Sequence, residues 1–444
     1  MKNRMFRPFL LALCVLAGLL LLGLLPEWGV GEWRSKPVQL LADLAPRDLS
    51  KGNADSATVP VSKDSCKSGV ACIADYAMDS ITNMAFFYAA LNDAAVRPVR
   101  IAFVGDSFVE ADILTDALRD LLQQRFGGCG VGYVTIDHVA VAGRKTIHQK
   151  RSGFSMHSAV DKHFDVSLPD LSGYYFLSQD AASVELAGNG DYSPRLAKAD
   201  VSQFLLLSNG TPISLTASTS EGKMQQFTTS AQSGLQAVIF ESPMHNVRWS
   251  LSGASGAVCY AVTMDGKTGV TVDNLSLRGS TGLTIPAIPH ERLVQLDAVR
   301  HYDLVILQYG LNVMSRGKRD YTAYRDQVVR MIQHLRAAMP RTAFLVVGIA
   351  DRGGKLPTGE VGTMPEVTPL LEAQSQAAAM AGAAFWNTFE AMGGQGAMVE
   401  FANAQPPLAA RDYTHINEEG GQRIARLLFD ALTWGYEMHQ KKNS

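Results

Sequence analysis

The run Val99-Arg100-Ile101-Ala102-Phe103-Val104-Gly105-Asp106-Ser107 narrows the folds open to this chain more than any other stretch. An apolar, β-branched strand breaks off in Gly-Asp-Ser. A helical pattern follows over Ile113 to Phe126, with Ile113, Leu114, Ala117, Leu118, Leu121 and Leu122 on one stripe. That places a serine hydroxyl on a strand-to-helix turn at the carboxyl edge of a sheet, where α/β folds put their chemistry.

The rest of the chain supplies the sheet. A helix is expected over Tyr76 to Leu91, ahead of the serine strand. Further on, the strand Leu304 to Leu307 precedes a helix over Tyr321 to Leu335, then the strand Phe344 to Ile349. A helix over Val367 to Met380 leads to the short strand Ala383 to Trp386. The final helix spans about Asn417 to Trp434, with Ile424, Leu427, Leu428, Ala431 and Leu432 inward. Such alternation implies a mostly parallel sheet with helices on both faces. Between about 151 and 270 the pattern changes to short β-type runs separated by Gly, Ser, Asn and Asp, such as Val201 to Leu207 and Val258 to Thr263. This segment reads as a β-sandwich inserted into the α/β domain.

A serine needs a base and an oxyanion site before it acts as a nucleophile. Downstream lies Arg411-Asp412-Tyr413-Thr414-His415, an acid and a histidine three residues apart, just before the last helix. Two further blocks lie between: Asn274-Leu275-Ser276-Leu277-Arg278-Gly279, and Tyr309-Gly310-Leu311-Asn312 directly after a strand.

In this order the four blocks resemble the SGNH (GDSL) hydrolase family of serine esterases. Gly105-Asp106-Ser107 matches the first block, and Asn274 to Gly279 the second, with Ser276 in place of a glycine. Gly310-x-Asn312 matches the third and Asp412-x-x-His415 the last. The stretch from Phe108 to Asp112, with Arg125-Phe126-Gly127-Gly128-Cys129-Gly130-Val131-Gly132-Tyr133-Val134 beyond it, is similar to the branch containing bacterial peptidoglycan O-acetylesterases. That branch also carries a β-rich module between the first two blocks. Phe108 departs from it, since histidine is often found there. The resemblance implies a three-layer, flavodoxin-like sheet. It divides the chain into a hydrolase domain in two parts, 75–150 and 271–444, around the module at 151–270, which would bind glycan.

On this reading Ser107 is the nucleophile and His415 the general base. The chain has ten histidines, and Asp412, one turn away, is what singles this one out. The oxyanion donors are the N–H groups of Ser107 and Gly279 and the side-chain amide of Asn312. Gly143 competes with Gly279 if the second block precedes the insert. Asp106 reads as a turn and capping residue. No Cys-x-x-Cys or histidine cluster has metal-ligand spacing, and no organic cofactor is called for. The glycine-rich stretch from Gly127 to Gly132 follows a helix and lacks a Lys-Ser/Thr ending, so it is expected to be a plain loop.

Lys2, Arg4 and Arg7 precede an uncharged, leucine-rich run of about 18 residues, from Pro8 to Leu25. That length is at the lower limit for a bilayer span and longer than most signal-peptide cores. No small-x-small cleavage site follows, and Trp28 and Trp33 suit an interfacial belt. The expectation is a signal anchor over residues 1–30, with a cleaved signal peptide as the alternative. Residues 31–74 read as a linker, and the catalytic part would lie on the periplasmic side of the inner membrane. Outside the apolar run there are four cysteines, Cys66, Cys72, Cys129 and Cys259, which permits two disulfides in an exported domain. Cys66 and Cys72 could close a small loop. The net charge of −2 gives no footprint for a nucleic-acid partner.

The expected activity is hydrolysis of short acyl esters, acetyl foremost, on a cell-envelope or extracellular polysaccharide such as peptidoglycan. The same triad would serve a polysaccharide O-acetyltransferase, and a non-catalytic glycan-binding protein is the alternative outside enzymes.

Overall fold

The structure, a computed structural model, describes residues 29–30, 33–34, 69–77, 83–137 and 143–443. The chain divides into two units, 1–58 and 59–444. In the first, β1 (Gly29–Val30) and β2 (Trp33–Arg34) pair antiparallel. The expected signal anchor lies outside the described residues, apart from Gly29 and Val30. No helix among the described residues is long and apolar enough to cross a membrane.

The second unit opens with β3 (Ile73–Asp75), inside the stretch expected to be linker. The helix expected from Tyr76 runs instead over Met84–Asn92. Asp75 accounts for both features. Its strand pairs antiparallel with a later one, and its carboxylate accepts from the Met84 amide and the Asn83 side chain at 3.2 and 2.8 Å. The serine strand is β4 (Pro98–Gly105), followed by the helix Thr115–Phe126.

The chain then enters the module through β5 (Gly132–Thr135), β6 (Ile147–Ser158) and β7 (Tyr174–Gly188). It continues with β8 (Ala199–Asn209), β9 (Ser214–Ser218), β10 (Met224–Thr228) and β11 (Ser233–Met244). The last module strands are β12 (Asn246–Ser252) and β13 (Val258–Met264). The expected sandwich of two stacked sheets is in fact one continuous nine-stranded sheet, and it begins before residue 151, at β5. The reason is strand length. β7 pairs with β13 near Phe176 and with β12 from Ala181 to Ala187, so a single strand runs from one layer into the next. The sheet thereby folds over Trp249, whose ring lies 5.8 Å from Phe204 and 6.4 Å from Phe240. Cys72 is disulfide-bonded, but Cys129 and Cys259 are buried free thiols, so a second disulfide does not form.

Back in the hydrolase part come β14 (Gly269–Ser276), the helix His290–Arg300 and β15 (Leu304–Gln308). The helix Thr322–Ala338 and β16 (Ala343–Val347) follow, then the hairpin of β17 (Gly353–Lys355) and β18 (Val361–Thr363). The helix Val367–Ala381, β19 (Ala384–Trp386) and the final helix Glu418–Asn443 complete the fold. The sheet order is β14-β4-β15-β16-β19-β3, parallel except for β3 at the edge.

Alternate residues of each strand enter different cores, as a two-residue period demands. Val99, Ile101 and Phe103 join Leu304, Ile306 and Leu345 under the helices Met84–Asn92, Thr115–Phe126 and Glu418–Asn443. Ala102 and Val104 join Val305, Leu307, Phe344 and Val346 under the helices Thr322–Ala338 and Val367–Ala381. Parallel register levels the carboxyl ends. Gly105 stands opposite Ser276 on one side and Gln308 on the other, so the three loops beyond them start at one height.

Candidate active site

Gly105 must be glycine, because a Cβ there would come within 2.6 Å of Val109 and 2.9 Å of the Gln308 carbonyl. The chain can therefore turn tightly at Asp106. The Asp106 carboxylate accepts from the Phe108 amide at 3.0 Å, which fixes the turn and leaves Ser107 half-buried at its apex. The helix does not start at once, as the sequence pattern suggests. A 3-10 turn over Glu110–Asp112 intervenes, with Ala111 and Asp112 at φ of 56° and 62°. That strained backbone is held by a buried hub. Asp112 accepts from Arg144 at 2.7 Å, Thr146 at 2.5 Å and Thr115 at 2.7 Å, and pairs with Arg119 at 3.3 Å. Burial alone would keep its carboxyl protonated, but the two guanidinium groups outweigh it and hold the pKa far below the usual range. From β14, the Asn274 amide donates to Asp112 at 3.0 Å and to the Val109 carbonyl at 2.8 Å.

The loop after β14 closes over the serine strand. The Leu277 amide donates to the Gly105 carbonyl at 2.9 Å, and Arg278 pairs with the buried Glu110 at 2.5 Å. Gly279 follows at φ 77°, a conformation that disfavours a side chain. Gly143 lies elsewhere, near Ala111, where a Cβ would meet only the Ala111 methyl at 3.7 Å.

The loop after β15 carries Asn312 on a short 3-10 turn. Its amide donates to Asp106 at 3.0 Å and to the Ser280 carbonyl at 2.9 Å, joining the serine turn to the Gly279 loop. His415 and Asp412 stand before the last helix. His415 Nδ1 lies 2.7 Å from Asp412 Oδ2, while Asp412 Oδ1 accepts from the amides of Thr414 and His415 at 2.9 and 3.0 Å. An ionised carboxylate only accepts, so the imidazole proton sits on Nδ1 and Nε2 keeps its lone pair. Burial works against ionisation of Asp412, yet the imidazole and the two amides hold its carboxyl below the usual range. Among the described residues no hydrogen bond joins the Ser107 hydroxyl to His415.

The structure thus gathers the loops of Ser107, Gly279 and Asn312 by hydrogen bonds and holds Asp412 on His415. Asp106 does more than cap a turn. It anchors Asn312, and burial pushes its pKa up to about 6, against the pull of Phe108, His415 and Asn312. Glu110 and the Asp112 hub went unseen in the sequence. Acidic residues just after a candidate nucleophile were the available signal, but Arg144, the partner of Asp112, lies 32 positions away, and Arg278, the partner of Glu110, lies beyond the module.

Asp106 gives a test with a definite sign. A tenfold change in acid dissociation is worth about 1.4 kcal/mol. With an ordinary value of 3.8 raised to about 6, ionised Asp106 costs the fold roughly 3 kcal/mol. Asp106→Asn removes that cost. The gain in denaturation midpoint should be complete above about pH 6 and gone below about pH 4, where the carboxyl is protonated folded and unfolded alike. Turnover should fall at least about tenfold, because the new amide sets one N–H group against that of Asn312.

Residues 247–423 match the family model of GDSL-like lipases and acylhydrolases, a span holding Gly279, Asn312, Asp412 and His415. No curated protein matches the chain. Among solved structures, a peptidoglycan O-acetylesterase superposes with a TM-score of 0.66 over 82% of this chain and 99% of its own, at 21% identity. A family two carbohydrate esterase from Cellvibrio japonicus covers 65% of this chain and 99% of its own, at 10% identity and a TM-score of 0.26. The sheet order, the four blocks in sequence and the family match agree. Over residues 247–423 the chain carries a GDSL-like lipase/acylhydrolase domain, the domain of an SGNH-type esterase.

Proposed function

We propose that the protein removes acetyl groups from a cell-envelope glycan through an acyl-serine intermediate on Ser107. The observation that carries this reading is the hydrogen-bonded convergence of the Ser107, Gly279 and Asn312 loops at one sheet edge, with an Asp412–His415 pair at 2.7 Å. Nε2 of His415 takes the serine proton as Oγ attacks the ester carbonyl, and Asp412 steadies the resulting imidazolium. The Ser107 and Gly279 N–H groups and the Asn312 amide receive the oxyanion. The imidazolium then returns the proton to the leaving sugar oxygen, and water, deprotonated by the same nitrogen, cleaves the acyl-serine. Acetyl as the group removed, and glycan as its carrier, are suggested by the peptidoglycan O-acetylesterase that shares the fold.

The purified protein should hydrolyse an aryl acetate without added metal and yield an acetylated Ser107 peptide on rapid acid quenching. Activity lost to a chelator and restored by zinc would overturn the mechanism. Asn312→Ala should lower turnover by roughly 100- to 1000-fold, the usual effect of losing one oxyanion donor. Gly279→Val should damage turnover far more than Gly143→Val. The reverse order would move the oxyanion site to Gly143.

We also place the catalytic part outside the inner membrane, held there by residues 1–30. Full-length protein should remain with membranes through alkaline carbonate washing. An export-dependent reporter fused after Ser444 should be active. Activity of a cytoplasm-only reporter at that point would overturn the topology.

A further inference from the structure

Two loops leave the same sheet edge as Asn312 and have no part in the chemistry above. One is the segment 313–321, after Asn312. The other is the β17–β18 hairpin, whose Gly353 amide donates to the Tyr413 carbonyl at 2.8 Å, beside Asp412. Between them lies a cavity of about 330 Å³. Leu356, Pro357, Met364 and Pro365 give it apolar walls.

Its polar groups are of one dominant sign. Arg316, Arg319 and Lys355 line it and are exposed, against one lining carboxylate, Glu366. This local excess of positive charge stands on a chain whose net charge is −2. Arg316 donates to the Lys355 carbonyl at 2.8 Å, which ties loop to hairpin and holds the guanidinium at the cavity. Neither Arg316 nor Lys355 pairs with a carboxylate among the described residues. Arg319 does, at 2.6 Å from Glu366 Oε1, which also accepts from the Gly317 amide at 2.7 Å. Glu366 is only 2% exposed, yet its Oε2 has no partner.

An ordinary solvated surface mixes both signs over flat or convex ground. Here two cations without a carboxylate partner, Arg316 and Lys355, flank a concavity with apolar walls. We propose that this cavity is a glycan subsite for a sugar that bears a carboxylate. Its carboxylate sits against Arg316 and Lys355, and the apolar face of the ring packs on the proline and methionine walls. The subsite rests on the esterase reading in one respect: it makes acidic glycan the carrier of the cleaved ester. The carboxylate has two sources, a uronate ring or a lactyl ether on an amino sugar.

The test compares three acetylated substrates: an oligouronate, a muramyl disaccharide with its lactyl carboxylate free, and a neutral cello-oligosaccharide. For the full-length protein, kcat/KM on one acidic substrate should exceed the neutral one by about tenfold or more, and that advantage should shrink with salt. Arg316→Glu combined with Lys355→Glu should cut the acidic-to-neutral ratio by roughly 10- to 100-fold, mainly through KM. A response to the uronate alone assigns a uronate; a response to the muramyl sugar alone assigns the lactyl group. Equal kcat/KM on all three substrates, insensitive to salt and to charge reversal, would overturn the subsite. Calorimetric titration of Ser107→Ala with deacetylated oligouronate and muramyl disaccharide separates the two readings. If no ester is hydrolysed but binding persists and is abolished by charge reversal, the esterase reading fails and the subsite stands.

Discussion

Ser107→Ala should lower kcat toward an aryl acetate by roughly 10⁴- to 10⁶-fold, and His415→Ala should do nearly the same. The double variant should be scarcely worse than either, since nucleophile and base act as one unit and neither has a task without the other. Asp412→Ala should cost less, because the imidazole keeps a usable lone pair and loses only its fixed tautomer and a counter-charge. Both Ser107 and His415 have accessible side chains outside the cores, so circular dichroism and the thermal midpoint should stay close to wild type. A Ser107→Ala protein that turned over at near wild-type rate would show that another residue attacks the ester.

The site was legible in the sequence to the extent that its chemistry is local. Gly105-Asp106-Ser107 and Asp412-x-x-His415 each bring their atoms together within one turn, so spacing alone announces them. The strand beneath the serine was legible too, since Val99 to Val104 is apolar apart from Arg100 and every other residue in it is buried. What spacing could not give was register. That Gly105 stands level with both Ser276 and Gln308 depends on strands 171 and 203 positions away, and this levelling lets Asn312 reach Asp106 and Ser280. The short edge strand Ile73–Asp75 was illegible for a different reason. Three residues carry no period, and an acidic residue beside a helix reads first as a solvated charge. The module was recognised as β-rich, but its division into sheets was not, because periodicity does not say that β7 serves two layers.

Buried charge was the least legible feature. Asp112, Arg119, Arg144, Asp265, Asp273 and Arg300 look like ordinary surface residues in a sequence, yet all are at most 8% exposed. All but Arg119 are paired across 27 to 35 positions of chain, and only the folded partner makes such burial tolerable.

Arg300 carries the largest stability effect expected of a single change. It closes the helix His290–Arg300 and is fully buried. It donates to Asp273 at 2.8 and 2.7 Å, and to Asp265 at 2.5 and 3.0 Å. Asp265 lies just past β13 of the module and Asp273 lies on β14 of the hydrolase sheet, so one guanidinium fastens the two parts. Tyr302 adds a hydroxyl to Asp273 at 2.9 Å. Arg300→Ala leaves two buried carboxylates without their cation, which costs about 3–5 kcal/mol when one member of such a pair is removed. In a domain of this size that lowers the thermal midpoint by about 4–6 °C. Arg300→Lys keeps the charge but cannot reach both carboxylates in a fork, so its loss should be smaller yet clear. The pH dependence distinguishes a lost ion pair from a mere cavity. In wild type, burial opposes ionisation of Asp265 and Arg300 overcomes it, holding the folded pKa below the ordinary 3.8. That stability is present above the ordinary value and is lost as pH falls through the lowered one. In Arg300→Ala the same carboxyl is desolvated with no cation, so its pKa rises and acid relieves it. The gap between the two proteins should therefore be widest near neutral pH and should narrow toward pH 4. A gap constant across that range would mean that Arg300 acts through packing alone, and that the two carboxylates find other partners once it is gone.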